Sequence, residues 1–137
     1  MNEWIIPGNS TVYDHGTAFN KYELITWGFK SEVEIGDVIY IRVAGGSNTM
    51  HKCIVEKINI KEYELIGSEF WSTPFKYDVR KNYANISLLQ SEQSPKLGFS
   101  ELKRRGLNGT HQVACHLIEP LRSYVHMFFD SKENTTQ

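Results

Sequence analysis

The chain has 137 residues, 40% of them hydrophobic, which is enough apolar material for one domain with a real core. Its formal net charge of −1 excludes a protein that binds nucleic acid mainly through a uniformly basic surface, although segregated charge is compatible with it. No apolar run approaches about 18 residues, so we expect no transmembrane helix and a cytoplasmic protein.

The run WIIPGN near the start of the chain predicts a short buried strand with an abrupt exit. Strand-forming residues fill Glu3–Ile6, and Pro7 has no N–H to donate to a central ladder. We therefore expect the strand to end at Pro7 and to expose Asn9 and Tyr13 at its end. Polar and aromatic groups at the rim of a small barrel commonly line a pocket.

A helix is predicted over Val12–Asn20, with the side chain of Ser10 or Thr11 as its N-cap. The following stretch, Tyr22–Phe29, predicts a loop or a short strand. It contains Trp27, which stands between the helix and the next turn.

The clearest strand pattern follows a turn at residues 35–37. Val38–Val43 is almost continuously apolar, and the glycines in the connection after it favour a hairpin with the alternating stretch Thr49–Ile60. Further strands are predicted at Tyr63–Ile66 and Asn85–Gln90. Between these two lies an aromatic-rich excursion without periodicity, Gly67–Arg80.

Two helices are predicted in the last third of the chain. The first is Gly98–Arg105, which Ser100 can cap and a glycine can end, and the second is Pro120–Phe129, with a proline suited to its first turn. The pattern predicts an α+β domain over residues 1–129, a mixed β-barrel of five to six strands with about three peripheral helices. Residues 130–137 are expected to form a disordered polar tail.

The chemistry-bearing residues do not form a catalytic or metal-binding pattern. The five histidines lack metal-ligand spacing, so we predict no metal and no cofactor. Cys53 and Cys115 lie outside any C-x-x-C motif, and free thiols are favoured over one disulfide. These observations favour a binding protein over an enzyme.

The aromatic residues favour a ligand pocket. Trp27 is the one most suited to a pocket wall, because stacking on a flat ring contributes about 1–3 kcal/mol per base. Asn9 can both donate and accept hydrogen bonds, as the Watson–Crick edge of a base requires. A basic cluster is predicted to contact phosphates, and its members are Lys96, Lys103, Arg104 and Arg105.

The order of WIIPGN, AFNKYELITW, EIGDVIYIRV, HKCIVEKI and the C-terminal FSELKRRG and LIEPLRSYVHMFF resembles that of EVE domains. These belong to the PUA-like superfamily, which also includes YTH and ASCH domains. The chain most resembles the N-terminal module of modification-dependent (type IV) restriction proteins that carry an HNH nuclease. The resemblance covers about Asn2–Phe129.

The resemblance implies a module that binds a modified base, 5-methylcytosine or 5-hydroxymethylcytosine, flipped out of duplex DNA. It implies that Asn9, Tyr13 and Trp27 lie in the pocket, and Trp71 is a further candidate from the excursion. A nuclease, separate or fused, is the partner that such a sensor would serve in a restriction system. Two alternatives stay open, namely an RNA-binding PUA-like domain and a small hydrolase or nucleotide-binding protein of ASCH type.

Overall fold

The computed structural model describes residues 1–45, 47–109, 111 and 114–135. Six strands and three helices lie in this part of the chain. The predicted α+β class with a mixed barrel of five to six strands is confirmed, and the barrel takes the form of a curled half-barrel. In chain order they are β1 (Glu3–Asn9), α1 (His15–Lys21), β2 (Leu24–Phe29), β3 (Val38–Ala44), β4 (Thr49–Lys57), β5 (Asn82–Gln93), α2 (Phe99–Arg104), β6 (Cys115–His116) and α3 (Leu121–Thr135), with short 3-10 turns at Glu62–Glu64, Ser68–Phe70 and Pro95–Leu97.

The strands form one sheet in the order β2-β5-β4-β3-β1-β6, which curls into a half-barrel. β1 runs parallel to β3, and the other neighbouring pairs are antiparallel. The predicted hairpin between β3 and β4 is present. Because β1 and β3 are parallel, their C-terminal ends, Asn9 and Ala44, lie side by side at one rim of the sheet.

Alternation along the strands divides the core between the two faces of the sheet. On β1, Trp4 and Ile6 pack in the cluster inside the curl, together with Tyr13 and residues of β2 and β5. Ile5 points to the opposite face and packs with the buried side of α2 and α3, including Val125. The inner face therefore carries most of the aromatic side chains next to the rim.

The predicted end of β1 at Pro7 is wrong, because the strand continues to Asn9 and Pro7 pairs with Arg42 of β3. The carbonyl groups of Glu3 and Ile5 face β6, so the nitrogen of Pro7 faces the same side. β6 pairs only with Trp4 and Ile5. Among the described residues no strand pairs with Pro7 on that side, so the missing N–H costs no ladder bond there.

Three smaller predictions are also wrong. Helix α1 begins later than predicted, because Asp14 caps it by accepting from the N–H and hydroxyl of Thr17. Tyr63–Ile66 does not form a strand, because Tyr63 and Glu64 belong to a 3-10 turn whose C-cap is Leu65. Helix α2 is capped by Gly98 without a side-chain hydrogen bond, so Ser100 is not its cap.

The last helix is longer than predicted, since α3 spans Leu121–Thr135. Helical spacing predicts an apolar face of Leu121, Tyr124, Val125 and Phe128. The first three are buried, but the fourth buried residue is Phe129, and Phe128 is only partly buried. Residues 136–137, the end of the predicted disordered tail, lie outside the described residues. The division into a domain 1–129 and a tail 130–137 stays a prediction.

Candidate functional site

A cavity of about 690 Å³ opens at the rim where β1 and β3 end. One side is an aromatic wall, and the other is formed by β3, the start of α2 and His111. All four predicted pocket residues line it, although they come from four different segments. The lining residues are Pro7, Gly8, Asn9, Val12, Tyr13, Trp27, Arg42, Val43, Ala44, Gly45, Asn48, Trp71, Gly98, Phe99 and His111.

The aromatic wall is a stack of preordered rings. Trp27 and Trp71 are stacked with their ring centroids 5.3 Å apart and their planes at 14°, and Phe75 stacks on Trp71 at 5.6 Å. Tyr13 meets Trp27 edge-on at 5.1 Å. Offset stacking and edge contacts are the favoured arrangements of aromatic pairs, so the rings of the wall pack against one another in favourable geometry without a ligand.

Backbone contacts bring the Trp71 segment to the rim. Tyr13 and Trp71 form an isolated antiparallel bridge, and the N–H of Ser72 donates to the carbonyl of Val12 at 2.9 Å. The Tyr13 hydroxyl donates to the carbonyl of Gly67 at 2.8 Å. Gly67 has φ +82°, and a Cβ there would lie 2.9 Å from that hydroxyl, so glycine permits the close approach.

The Tyr13 hydroxyl is therefore committed to the protein. Tyr13 is buried, and burial raises the pKa of its hydroxyl above the usual range, with the charges of Glu69 and Asp14 adding to the shift. A phenol in this setting stays protonated and bonded to Gly67. Its contribution to the cavity is aromatic surface.

Asn9 is exposed at the mouth and organises the turn after β1. Its side-chain carbonyl accepts from the N–H of Thr11 at 3.0 Å and from the Thr11 hydroxyl at 2.7 Å. Its backbone carbonyl accepts from the N–H groups of Val12 and Tyr13. The side-chain amide NH₂ has no protein acceptor among the described residues, so Asn9 offers a ligand a donor.

Arg42 and His111 face the cavity from the side opposite the tryptophans, and sequence analysis missed both. Arg42 is only 8% exposed, and its Nε donates to Nδ1 of His111 at 3.0 Å. His111 Nε2 lies 3.2 Å from the carbonyl of Ile5. Since a carbonyl only accepts, the proton sits on Nε2 and leaves Nδ1 as the acceptor for Arg42. Burial lowers the pKa of His111, which favours this neutral tautomer.

The predicted basic cluster lies on helix α2 and in the residues just before and after it, and the start of this helix forms one side of the cavity. Its members differ in their contacts. Glu101 binds Arg104 at 2.9 Å and Arg105 at 3.6 Å, and the guanidinium of Arg105 also packs over the ring of Tyr124. Lys103 instead lies 5.4 Å from the ring centroid of Phe99, a residue of the cavity. All four basic side chains, Lys96 included, are exposed. Lys103 is the member that the structure ties to the cavity.

His15 supports the aromatic wall from behind. Its ring lies 4.7 Å from that of Trp27 and 4.8 Å from that of Tyr13, and it is 2% exposed. Neither ring nitrogen has a partner within hydrogen-bond geometry among the described residues. Burial, followed by the effect of His51, lowers the pKa of His15 from 6.5 to about 3. The wall therefore rests on a neutral imidazole.

The remaining titratable groups add no reactive centre to the cavity. Cys53 and Cys115 are free thiols whose pKa values are raised by burial. Within the described ranges no three His, Cys, Asp or Glu side chains come together as metal ligands.

No helix in the same part of the chain is long and apolar enough to cross a membrane.

Comparison with known proteins identifies the fold. A scan against protein-family models finds no match, and neither does a search of curated proteins. Among solved structures, ASCH from Zymomonas mobilis matches with a TM-score of 0.56 and 10% sequence identity, over 92% of this chain and 94% of that one. A point mutant of that protein matches with a TM-score of 0.56 and 9% identity, over 93% and 98% of the two chains.

These matches extend over almost the full length of both chains, so this chain has the same fold as that ASCH protein. At this level of identity the likeness shows the fold alone. The predicted PUA-like fold is confirmed. The nearer resemblance to EVE domains and to restriction proteins stays a prediction.

Proposed function

We propose that this chain is a non-enzymatic nucleic-acid-binding module that accepts a single flipped base, of the 5-methylcytosine or 5-hydroxymethylcytosine type, at its aromatic wall. The observation that carries the proposal is the convergence of Trp27, Trp71 and a buried Arg42 on one cavity. The sensor part of a modification-dependent restriction system is the setting in which such a module would act.

The size of the cavity and the packing of its aromatic wall support this proposal. A volume of about 690 Å³ lies within the usual range for small-molecule sites and leaves room for one extruded nucleotide. Flipping costs a few kcal/mol of lost pairing and stacking. Stacking on aromatic rings contributes about 1–3 kcal/mol of binding free energy per base. Little of this is lost to ordering the protein side chains, because the rings of the wall already pack against one another.

The protonation states of the lining groups favour binding over catalysis. The Tyr13 hydroxyl is held protonated by burial and by its bond to Gly67, and the Arg42 guanidinium keeps its charge. His111 uses both ring nitrogens in hydrogen bonds within the protein. Donors, a fixed cation and flat rings are the groups with which a binding pocket recognises a base.

Binding to matched duplexes that carry cytosine, 5-methylcytosine or 5-hydroxymethylcytosine tests the proposal, with fluorescence anisotropy at two salt concentrations. We expect one modified duplex to bind about tenfold more tightly than the unmodified one, and Trp27→Ala to abolish the difference. Tyr63→Ala is the matched control, because Tyr63 is 88% exposed and lies outside the cavity. Equal affinity for all three duplexes would refute recognition of the modification.

RNA binding is a second candidate, which the likeness to the ASCH fold favours. An unpaired base in RNA reaches the same cavity without the cost of flipping. Single-stranded RNA of matched sequence belongs in the same titration. Tighter binding to RNA than to any duplex, again lost in Trp27→Ala, would select this candidate.

A further inference from the structure

Arg42 is a buried cation without an anionic partner among the described residues. Its side chain lies at the cavity with only 8% exposure, and its contacts are His111 and the ring of Phe99, whose centroid lies 4.8 Å from the guanidinium carbon. A buried charge is costly unless an opposite charge compensates it. The open side of this guanidinium is therefore where an anion gains most.

The contacts of Arg42 also fix which of its N–H groups are available. Nε donates to Nδ1 of His111, and Nη2 is 3.5 Å from the His111 carbonyl, which is a long contact. Nη1 has no acceptor in the described part of the chain. His111 is itself held by its bond to the carbonyl of Ile5, so the guanidinium plane is oriented before any ligand arrives.

We propose that Arg42, positioned by His111, binds a phosphate of the nucleotide whose base contacts Trp27 and Trp71. The proposal rests on the proposed function, and it makes the cavity a site for a nucleotide instead of a site for a base alone. Two observations favour phosphate over the edge of a base. A phosphate supplies the formal negative charge that the buried guanidinium lacks, and its oxygens accept two N–H bonds at once.

The position of Phe99 agrees with this assignment. Its ring has Arg42 on it at 4.8 Å and the Lys103 ammonium at 5.4 Å, so two cations converge on one side of the cavity. The tryptophans form the opposite side. The aromatic side suits the base of a nucleotide, and the cationic side suits its phosphate.

Calorimetry with 5-methylcytidine and its 5′-monophosphate tests the assignment. We expect the monophosphate to bind about tenfold more tightly, because hydrogen bonds between a guanidinium and a phosphate are charge-assisted and stronger than neutral ones. Arg42→Gln should remove this advantage, whereas the control Arg80→Gln should keep it, since Arg80 is exposed and paired with Asp78. Arg42→Lys should keep part of it, because the charge remains and the fork of donors is lost. Equal affinities for nucleoside and monophosphate in the wild type would overturn the proposal.

Inorganic phosphate separates this inference from the proposed function. Phosphate should shift the NMR signal of Arg42 Nε in the wild-type protein, a readout that does not depend on a variant that folds. If oligonucleotides bind through Trp27 while phosphate and monophosphate leave that signal unmoved, the phosphate site is refuted and the proposed function stands. If phosphate moves the signal but no oligonucleotide binds, the anion site stands and the proposed function fails.

Discussion

Replacing His15 with phenylalanine should make the protein less sensitive to acid. His15 is buried, its ring nitrogens have no hydrogen-bond partner in the part of the chain that the structure describes, and its pKa is lowered from 6.5 to about 3. Burial is the main cause of this shift and His51 adds to it, whereas the charge of Asp14 and the backbone of Tyr13 oppose it. Since the folded pKa lies below the unfolded one, the unfolded chain binds the proton more tightly. The contribution of His15 to the free energy of unfolding is therefore complete above pH 6.5 and is lost progressively as the pH falls toward about 3.

The size of the effect follows from these two pKa values. At pH 5 the unfolded imidazole is largely protonated while the folded one is neutral, which costs about 2 kcal/mol of unfolding free energy relative to pH 8. His51 and His111 also have pKa values lowered by burial, so the wild type loses more than this in total.

Urea denaturation of both proteins at pH 8 and pH 5 measures the difference. We expect the wild type to lose about 2 kcal/mol more than His15→Phe between the two conditions. His116→Gln serves as control, because it removes an exposed histidine. If the wild type and His15→Phe lose the same free energy within about 0.5 kcal/mol, the imidazole is not buried and neutral as described.

Three further changes test other parts of the structure. Gly8→Ala should lower the unfolding free energy by about 1–3 kcal/mol in urea titrations, because its Cβ would lie 2.9 Å from Ile41; an unchanged value would contradict this packing. Asp37→Asn should lower the unfolding free energy by about 2 kcal/mol in the same measurement, because the buried carboxylate accepts three hydrogen bonds. A loss below about 0.5 kcal/mol, which is the error of such comparisons, would contradict that role. Lys103→Ala should weaken oligonucleotide binding at low salt more than Arg104→Ala, since Glu101 already binds Arg104; equal losses in anisotropy would place both at the interface alike.

The sheet was largely predictable because its strands are short and strongly patterned. Val38–Val43 and the alternating stretch after it became the β3–β4 hairpin. The failure at Pro7 has a different origin. Whether a proline ends a strand depends on which neighbour its nitrogen faces, and the neighbour here is β6, which is more than 100 residues away in the chain. Local sequence carries no signal of that pairing.

The residues of the candidate site were likewise predictable only in part. Asn9, Tyr13 and Trp27 were predictable from residue type and position beside a strand or turn, and Trp71 was predictable as an aromatic residue in an irregular segment. Arg42 sits inside an apolar strand and meets His111 across 69 residues. A charged residue within a buried strand run is the one signal that indicated Arg42. Nothing local indicated its partner.

The pairing of the first strand with residues near the end of the chain has a consequence for the order of folding. Leu117 donates to the carbonyl of Glu3, and His111 and Cys115 both approach the carbonyl of Ile5. During synthesis β1 can pair with β3 early, but its other edge stays open until residues beyond 110 have left the ribosome. The aromatic side of the cavity is complete in a chain that has reached Trp71 and β5. The side that contains His111 is assembled last, so Arg42 is oriented by His111 only when the last strand joins the sheet.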